Sequence, residues 1–192
     1  MERMERGVME WGSRPVQLCL PFESPDHQPI WASGPSCSVT IPGGYLPLDV
    51  CVQNPRAVMC MLTAARFLGL LNDEPLSLWL GVPLRAYVMK RGAPALRVLR
   101  WSDVASFNVG VQDTVVGGAR VRHTTPERTV IDLVRYGRHV GGSGIALACL
   151  RSYAALGGTA LQVREMAHAI RVPAQAKVVL DTLLLSMDGA GS

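Results

Sequence analysis

The stretch HTTPERTVIDLVRYGRHVG, residues 123–141, is the most informative part of the chain. It opens with residues that favour a helix start, because the side chain of Thr124 or Thr125 can accept a hydrogen bond from a free amide of the first turn. Pro126 suits the first helical position, where no amide donor is needed. Glu127 can complete a capping box or interact favourably with the positive end of the helix dipole. The apolar residues that follow recur at helical spacing and predict an amphipathic helix.

The charged residues of this helix lie at spacings that allow contact. Arg128 precedes Asp132 by four residues and Arg135 follows it by three, so both guanidinium groups can reach its carboxylate. Asp132 stands between two apolar residues, and a buried carboxylate needs such a partner. Two interpretations remain open. Either the three residues form an internal clamp that fixes the helix, or Arg128, Thr129 and Asp132 take part in binding.

The remaining pattern divides the chain into strands followed by helices. Asn54 as an N-cap and Pro55 at the first helical position predict an apolar core helix that continues to Leu71. Strands are predicted at 76–83 and 96–101, and a hairpin at 109–124 turns at Gly117-Gly118. Helices are predicted at 126–140, 143–156, 161–170 and 173–187. This order predicts an α+β fold in which a small mixed or antiparallel sheet is followed by a helical cluster.

The first fifty residues differ from the rest in their proline content. Seven prolines between residues 15 and 47 disfavour helices and favour edge strands and turns. We therefore divide the chain into a proline-rich N-terminal segment, 1–50, and a main domain, 51–188.

The basic residues are mostly arginine and are unevenly distributed. The net charge is +4, and 17 of the 19 basic residues are arginine. Arginine suits the recognition of phosphate and carboxylate, but the same bias arises from a GC-rich genome. No acid lies between Leu76 and Ser102. The basic residues of this segment therefore either face nucleic acid or an acidic partner, or form an ordinary solvated face. The candidate contact residues are Arg85, Lys90, Arg91, Arg97 and Arg100, together with Arg120 and Arg122, which share one face of the second hairpin strand.

Familiar catalytic and metal-binding patterns are missing from the sequence. It has no phosphate-binding P-loop, no nucleophile elbow, no zinc-protease helix and no protein-kinase loop series. The four histidines lack metal-ligand spacing, and the five cysteines are never paired as C-x-x-C. We therefore predict no metal and no cofactor. Scattered cysteines, no secretory signal and no apolar run of membrane length predict a cytoplasmic protein.

Three stretches, taken together, resemble a known family. They are CVQNPRAVMCMLTAARFLGLLNDEPLSLWLGVP, LRVLRW and GGARVRHTTPERTVIDLVRYGRHVGGSGIALACLRSYA. Their order and spacing resemble the C-terminal domain of AbiEi-type antitoxins from abortive-infection toxin–antitoxin systems. The cues are A-x-x-x-L-G-L-x-x-x-x-P, T-x-P-x-R-T-x-x-D from Thr124 to Asp132, and A-L-x-x-L-R in the next helix. The resemblance extends from about Gly43 to the last helix.

The resemblance implies a cytoplasmic bacterial antitoxin whose partner is a nucleotidyltransferase-like toxin, and which often represses its own operon. Members of the family usually begin with a winged helix-turn-helix domain, and the proline-rich opening of this chain indicates that the domain is shortened or missing. Besides neutralisation of the toxin by binding, two alternative functions remain open. One is a DNA-binding transcriptional autoregulator that uses the basic residues. The other is an atypical kinase-like phosphotransferase that modifies the toxin, with Asp132 as the metal-binding acid.

Overall fold

A computed structural model describes residues 48–73, 77–88, 95–116 and 119–188. Within these residues the chain forms a five-stranded mixed sheet and six α-helices, so the predicted α+β class is confirmed. The strands are β1 (Val58–Met59), β2 (Leu78–Pro83), β3 (Leu96–Trp101), β4 (Val111–Val116) and β5 (Ala119–Thr124). The helices are α1 (Leu48–Gln53), α2 (Met61–Phe67), α3 (Pro126–Arg135), α4 (Ser143–Ala155), α5 (Ala160–Ala169) and α6 (Ala174–Asp188).

The strand order across the sheet is β3-β2-β1-β5-β4. The central strand β1 pairs antiparallel with β2 and parallel with β5. Strands β2 and β3 pair in parallel, and β4 and β5 form an antiparallel hairpin. The hairpin was predicted correctly, although its turn at Gly117-Gly118 lies outside the described residues. The predicted N-terminal segment lies outside them too, up to residue 47.

The predicted helix from Asn54 to Leu71 is wrong in its first half. Asn54 follows the end of α1 instead of starting a helix, and its side-chain amide donates to the Val50 carbonyl at 2.9 Å. Val58 and Met59 form the central strand β1, and the helix begins only at Met61. A continuous apolar run suits a strand buried on both faces as well as a core helix, so periodicity alone could not separate the two.

The four C-terminal helices agree with the prediction to within a few residues at most of their ends. The exception is α3, which ends at Arg135 and is followed by a short 3-10 turn, Gly137–His139, before the chain reaches Val140. Gly141 and Gly142 have φ values of +89° and +103°, a left-handed conformation that glycine adopts easily. They therefore separate the turn from α4, as a helix-helix connection requires.

Each face of the sheet supports its own hydrophobic cluster. Side chains alternate along a strand, so Trp79 and Trp101 point to the helical cluster, while Leu80 and Val82 point to the opposite face. The helices pack through Val130, Leu150 and the other apolar residues of the first cluster. α1 covers the second face next to β5. Among the described residues, none of the helices is both long and apolar enough to cross a membrane.

Candidate functional site

The N-terminus of α3 is fixed by the threonines that precede it. Thr125 is the N-cap, and its hydroxyl accepts a hydrogen bond from the Arg128 amide at 3.3 Å, with Pro126 in the first turn. Because the cap is Thr125, the third helical position is Arg128, and the capping box predicted for Glu127 does not form. Thr124 bonds instead to the Thr129 hydroxyl at 2.7 Å. These contacts attach the helix to the end of β5.

The ion pairs predicted from the helical spacing are both present. Arg128 Nε lies 2.9 Å from Asp132 Oδ2, and Arg135 Nη1 lies 3.5 Å from Asp132 Oδ1. The Asp132 side chain is 0% exposed and that of Arg128 is 1% exposed. Burial raises the pKa of the Asp132 carboxyl, and the charges of the two guanidinium groups oppose that rise. The pair is therefore a buried part of the fold.

Arg128 also contacts the loop that joins β3 to β4. Its Nη1 donates to the Val109 carbonyl at 2.8 Å, and its guanidinium carbon lies 5.2 Å from the centre of the Trp101 ring. Nη2 of Arg128 and Nε1 of Trp101 are buried without a hydrogen-bond partner among the described residues. One side chain thus connects α3 to the end of β3 and to the loop that leads into β4.

Glu127, the acid in the first turn of α3, makes a long-range contact. It accepts a hydrogen bond from the Tyr153 hydroxyl at 2.9 Å, and the same hydroxyl lies 3.0 Å from Gln162 Oε1. Gln162 belongs to the capping box that starts α5, with Thr159 as its N-cap. The network therefore joins α3, α4 and α5. No sequence signal links these residues, since 26 positions separate Glu127 from Tyr153.

The predicted basic contact residues do not lie on one face of the molecule. Arg97 and Arg100 are three residues apart on the edge strand β3 and point to opposite faces of the sheet. Arg120 and Arg122 share a face, as predicted, but both reach the same acid, Asp113, at 2.6 and 3.4 Å. A single continuous basic strip across these residues is therefore not formed. Lys90 and Arg91 lie outside the described residues.

Arg100 holds a loop in place. Its Nη1 donates to the carbonyls of Leu84 and Ala86 at 2.8 and 3.0 Å, in the segment that follows β2. Arg85 is exposed in that segment. Together they border an open cavity of about 500 Å³, whose other lining residues are Leu84, Ala86, Tyr87, Val88 and Val98. Arg100 thus has a structural contact on this face of the sheet.

Arg97 belongs to a different group, which we call the basic–aromatic surface. Its members are Trp79, Arg97, Arg135, Tyr136, Arg138 and His139. The guanidinium carbon of Arg97 lies 5.5 Å from the centre of the Trp79 ring, within cation–π range. His139 lies 6.5 Å from both the Trp79 and the Tyr136 rings, measured between ring centres. The turn after α3 therefore meets the first residues of β2 and β3.

Sequence reasoning missed most of this surface. Arg97 was singled out for its charge, and Arg135 for its spacing from Asp132, but nothing indicated that they belong together. The juxtaposition depends on the parallel register of β2 and β3, which pairs Trp79 with Arg97. The available signal was the concentration of basic and aromatic side chains at the end of the α3 stretch, where Tyr136 and His139 lie.

The histidine and cysteine side chains of the described residues do not assemble into a metal site. No group of three or more His, Cys, Asp or Glu residues is arranged there to hold a metal ion. His123 is buried, with its ring 2.8 Å from the Thr114 hydroxyl, and burial lowers its pKa. The thiols of Cys51, Cys60 and Cys149 are buried and free. Burial raises the pKa of Cys51 to about 11.

No protein-family model matches the chain, and none of the curated proteins matches it either. The resemblance to AbiEi-type antitoxins therefore rests on the three stretches quoted above and stays a prediction.

Proposed function

We propose that the protein is a bacterial antitoxin that acts in the cytoplasm and neutralises a nucleotidyltransferase-like toxin by binding it. The observation that carries the proposal is the construction of α3. The residues that give the T-x-P-x-R-T-x-x-D resemblance help to attach this helix to the fold: Thr124 and Thr129 bond to each other through their hydroxyls, and Arg128 and Asp132 form the buried ion pair. A motif that specifies a structural unit is expected to show such mutual contacts. This supports the family resemblance from which the function is inferred.

The geometry favours binding over phosphoryl transfer. The phosphotransferase alternative relied on Asp132 as the acid that would hold a metal ion and ATP. Asp132 is 0% exposed and is already engaged by two arginines, so a nucleotide cannot reach it in this conformation. The exposed Arg97 and Arg138, by contrast, belong to the basic–aromatic surface, beside the half-buried Tyr136, and arginine and tyrosine are enriched in protein interfaces.

The DNA-binding autoregulator is the second candidate. It is favoured by the exposed Arg97 and Arg138, which could contact phosphates. A gel shift of the protein's own promoter at rising salt tests it, because each neutralised phosphate releases counterions and makes the affinity more dependent on salt. A promoter fragment that shows no salt-sensitive shift would exclude this role.

Co-expression tests the antitoxin proposal directly. The toxin gene next to this gene is induced from one unrelated promoter and this chain from another, so that repression of the natural operon cannot contribute. We expect growth to recover and the two proteins to elute as one complex in size-exclusion chromatography. The intact mass of the co-expressed toxin distinguishes binding from modification, since phosphoryl transfer would add a phosphate. Persistent growth arrest with abundant folded protein would refute the proposal.

A further inference from the structure

We propose that residues 102–110, which we call the strap, open locally as a unit. The strap lifts at its Phe107 end, while its Gly110 end stays fastened to α3. It joins β3 to β4, and a short 3-10 turn, Ala105–Phe107, lies in its middle. The Phe107 ring packs on Trp101, the last residue of β3, with 5.1 Å between the ring centres. Opening of the strap therefore separates these two rings.

Three backbone carbonyls fasten the strap. All three accept hydrogen bonds from one stretch of chain, 122–128, which runs from the end of β5 into the first turn of α3. The pairs are Phe107 with Arg122 Nη2 at 2.8 Å, Val109 with Arg128 Nη1 at 2.8 Å, and Gly110 with the Thr125 amide at 2.9 Å. The two arginine bonds are charge-assisted, and such bonds are stronger than neutral ones. What surrounds each bond therefore decides which end of the strap is firm.

The Gly110 end is firmly held. The Arg128 side chain is 1% exposed, and the buried Asp132 fixes its guanidinium group at 2.9 Å. A Cβ at Gly110 would lie 2.8 Å from Met166 Sδ in α5 and 2.9 Å from Arg128 Cβ, so the backbone is packed closely against both side chains. Gly110 has a φ of +66°, a left-handed conformation that glycine adopts easily. Buried charges are screened little by water and salt, so this end stays fastened.

The Phe107 end is held by weaker contacts. The Arg122 side chain is 25% exposed, and the acid beside it, Asp113, is 38% exposed and lies 3.4 Å away. Ion pairs that solvent reaches contribute little and are screened by salt. Val104, which precedes the 3-10 turn, is 76% exposed, so its side chain adds little burial. Segments with few buried contacts and solvent-exposed hydrogen bonds are those that open locally. We therefore expect the strap to lift at this end first.

Two N–H groups report on the two ends of the strap. Trp101 is 4% exposed and its Nε1 atom is buried, so exchange of the indole proton with solvent reports the lifting of Phe107. The Thr125 amide, which donates to the Gly110 carbonyl, reports the fastened end. Exchange is followed by NMR on the full chain at several urea concentrations below the unfolding transition. Local opening exposes little surface and depends weakly on urea, whereas global unfolding depends strongly on it. We expect the Trp101 proton to be at least about tenfold less protected than the Thr125 amide, with the weaker dependence on urea.

Variants separate opening of the strap from unfolding of the chain. Arg122→Ala removes the bond to Phe107 and should lower the protection of the Trp101 proton at least about fivefold. Arg120→Ala is the matched control, because Arg120 contacts the same Asp113 but is 72% exposed and donates to no strap carbonyl in the described part of the chain. It should leave that protection within about twofold of wild type.

Tyr153→Phe weakens the contacts among α3, α4 and α5, which stay formed while the strap lifts. It should lower the protection of the Thr125 amide about fivefold or more and leave that of the Trp101 proton within about twofold. An equal loss at both protons would overturn the inference, since Trp101 would then exchange only by global unfolding. Unchanged protection at both would show that the strap opens at its two ends together, and would overturn the hinge at Gly110. Unchanged Trp101 protection in a folded Arg122→Ala protein would overturn the role of Arg122. If Arg122→Ala does not fold, the wild-type urea series and Tyr153→Phe still decide whether the strap opens locally.

Discussion

Replacing Asp132 with alanine should destabilise the protein more than any exposed change of the same kind. Removal of the carboxylate leaves Arg128 charged, with a side chain that is 1% exposed and only the Val109 carbonyl as its remaining hydrogen-bond acceptor. Breaking a buried ion pair on one side costs about 3–5 kcal/mol. In a domain of this size each kcal/mol lowers the melting temperature by about 2–4 °C, so the expected loss is about 6–20 °C.

Asp113 provides the matched control. It also contacts two arginines, but its side chain is 38% exposed, and exposed ion pairs contribute about 0–1 kcal/mol. Asp113→Ala should therefore leave the melting temperature almost unchanged. The two aspartates differ mainly in burial, so the comparison isolates the effect of desolvation from that of contact number.

Urea unfolding of single and double variants completes the test. Arg128→Ala should cost a similar amount to Asp132→Ala, and the double variant should cost less than their sum by about 0.5–3 kcal/mol, because the partners contact each other. Strict additivity, or a loss below about 1 kcal/mol for Asp132→Ala, would refute the clamp and place the pair among weak surface contacts. A stable Asp132→Ala protein that no longer rescues growth would instead favour the binding interpretation of these residues.

Three further outcomes follow from buried contacts elsewhere. Because burial lowers the pKa of His123 below 6.5, the unfolded chain binds its proton first, and stability should fall below pH 6.5 by up to about 1.4 kcal/mol per pH unit. Urea titrations should show this slope reduced in His123→Gln and retained in His168→Gln, whose site is exposed; equal slopes would contradict the assignment. Gly81→Ala would bring a methyl group to 2.5 Å from a tryptophan ring and should cost about 1–3 kcal/mol, whereas Gly144→Ala, with open space around it, should gain about 0.4–1 kcal/mol in thermal melts. Tyr153→Phe should cost about 1–3 kcal/mol, since it removes a hydrogen bond to a carboxylate that joins three helices; an unchanged free energy of unfolding would show that water replaces the bond without loss.

The sequence predicted the helical half of the fold better than the sheet. Helix α3 and its ion pairs followed from local spacing, because residues three and four positions apart share a helix face. The error lay at β1, where the buried pair Val58 and Met59 has too few residues to show a strand period. Met61, which starts α2, has a φ of +54°, a conformation that no local pattern indicates for a methionine.

The candidate site was predicted only in part, for a related reason. Local spacing identified Arg128 and Asp132, but the neighbours that bury them come from distant positions, such as Trp101. Charge alone singled out Arg97 and Arg100 together, although the alternation of β3 sends them to opposite faces of the sheet. The composition of a segment gives the number of its cations, but the strand register determines which of these side chains lie close together.

The two ends of α3 differ in what they can do. Its first turns are closed off, because Thr125 caps the helix and the Arg128–Asp132 pair is buried against the loop that carries Val109. Its last turn is partly open and continues into the exposed Arg138. Arg135 connects the two ends, since it reaches Asp132 on one side and lies 5.4 Å from the Tyr136 ring on the other. A helix anchored at its beginning can hold the basic residues at its end in fixed positions. The clamp and the basic–aromatic surface are then parts of one element, and damage to the first should loosen the second.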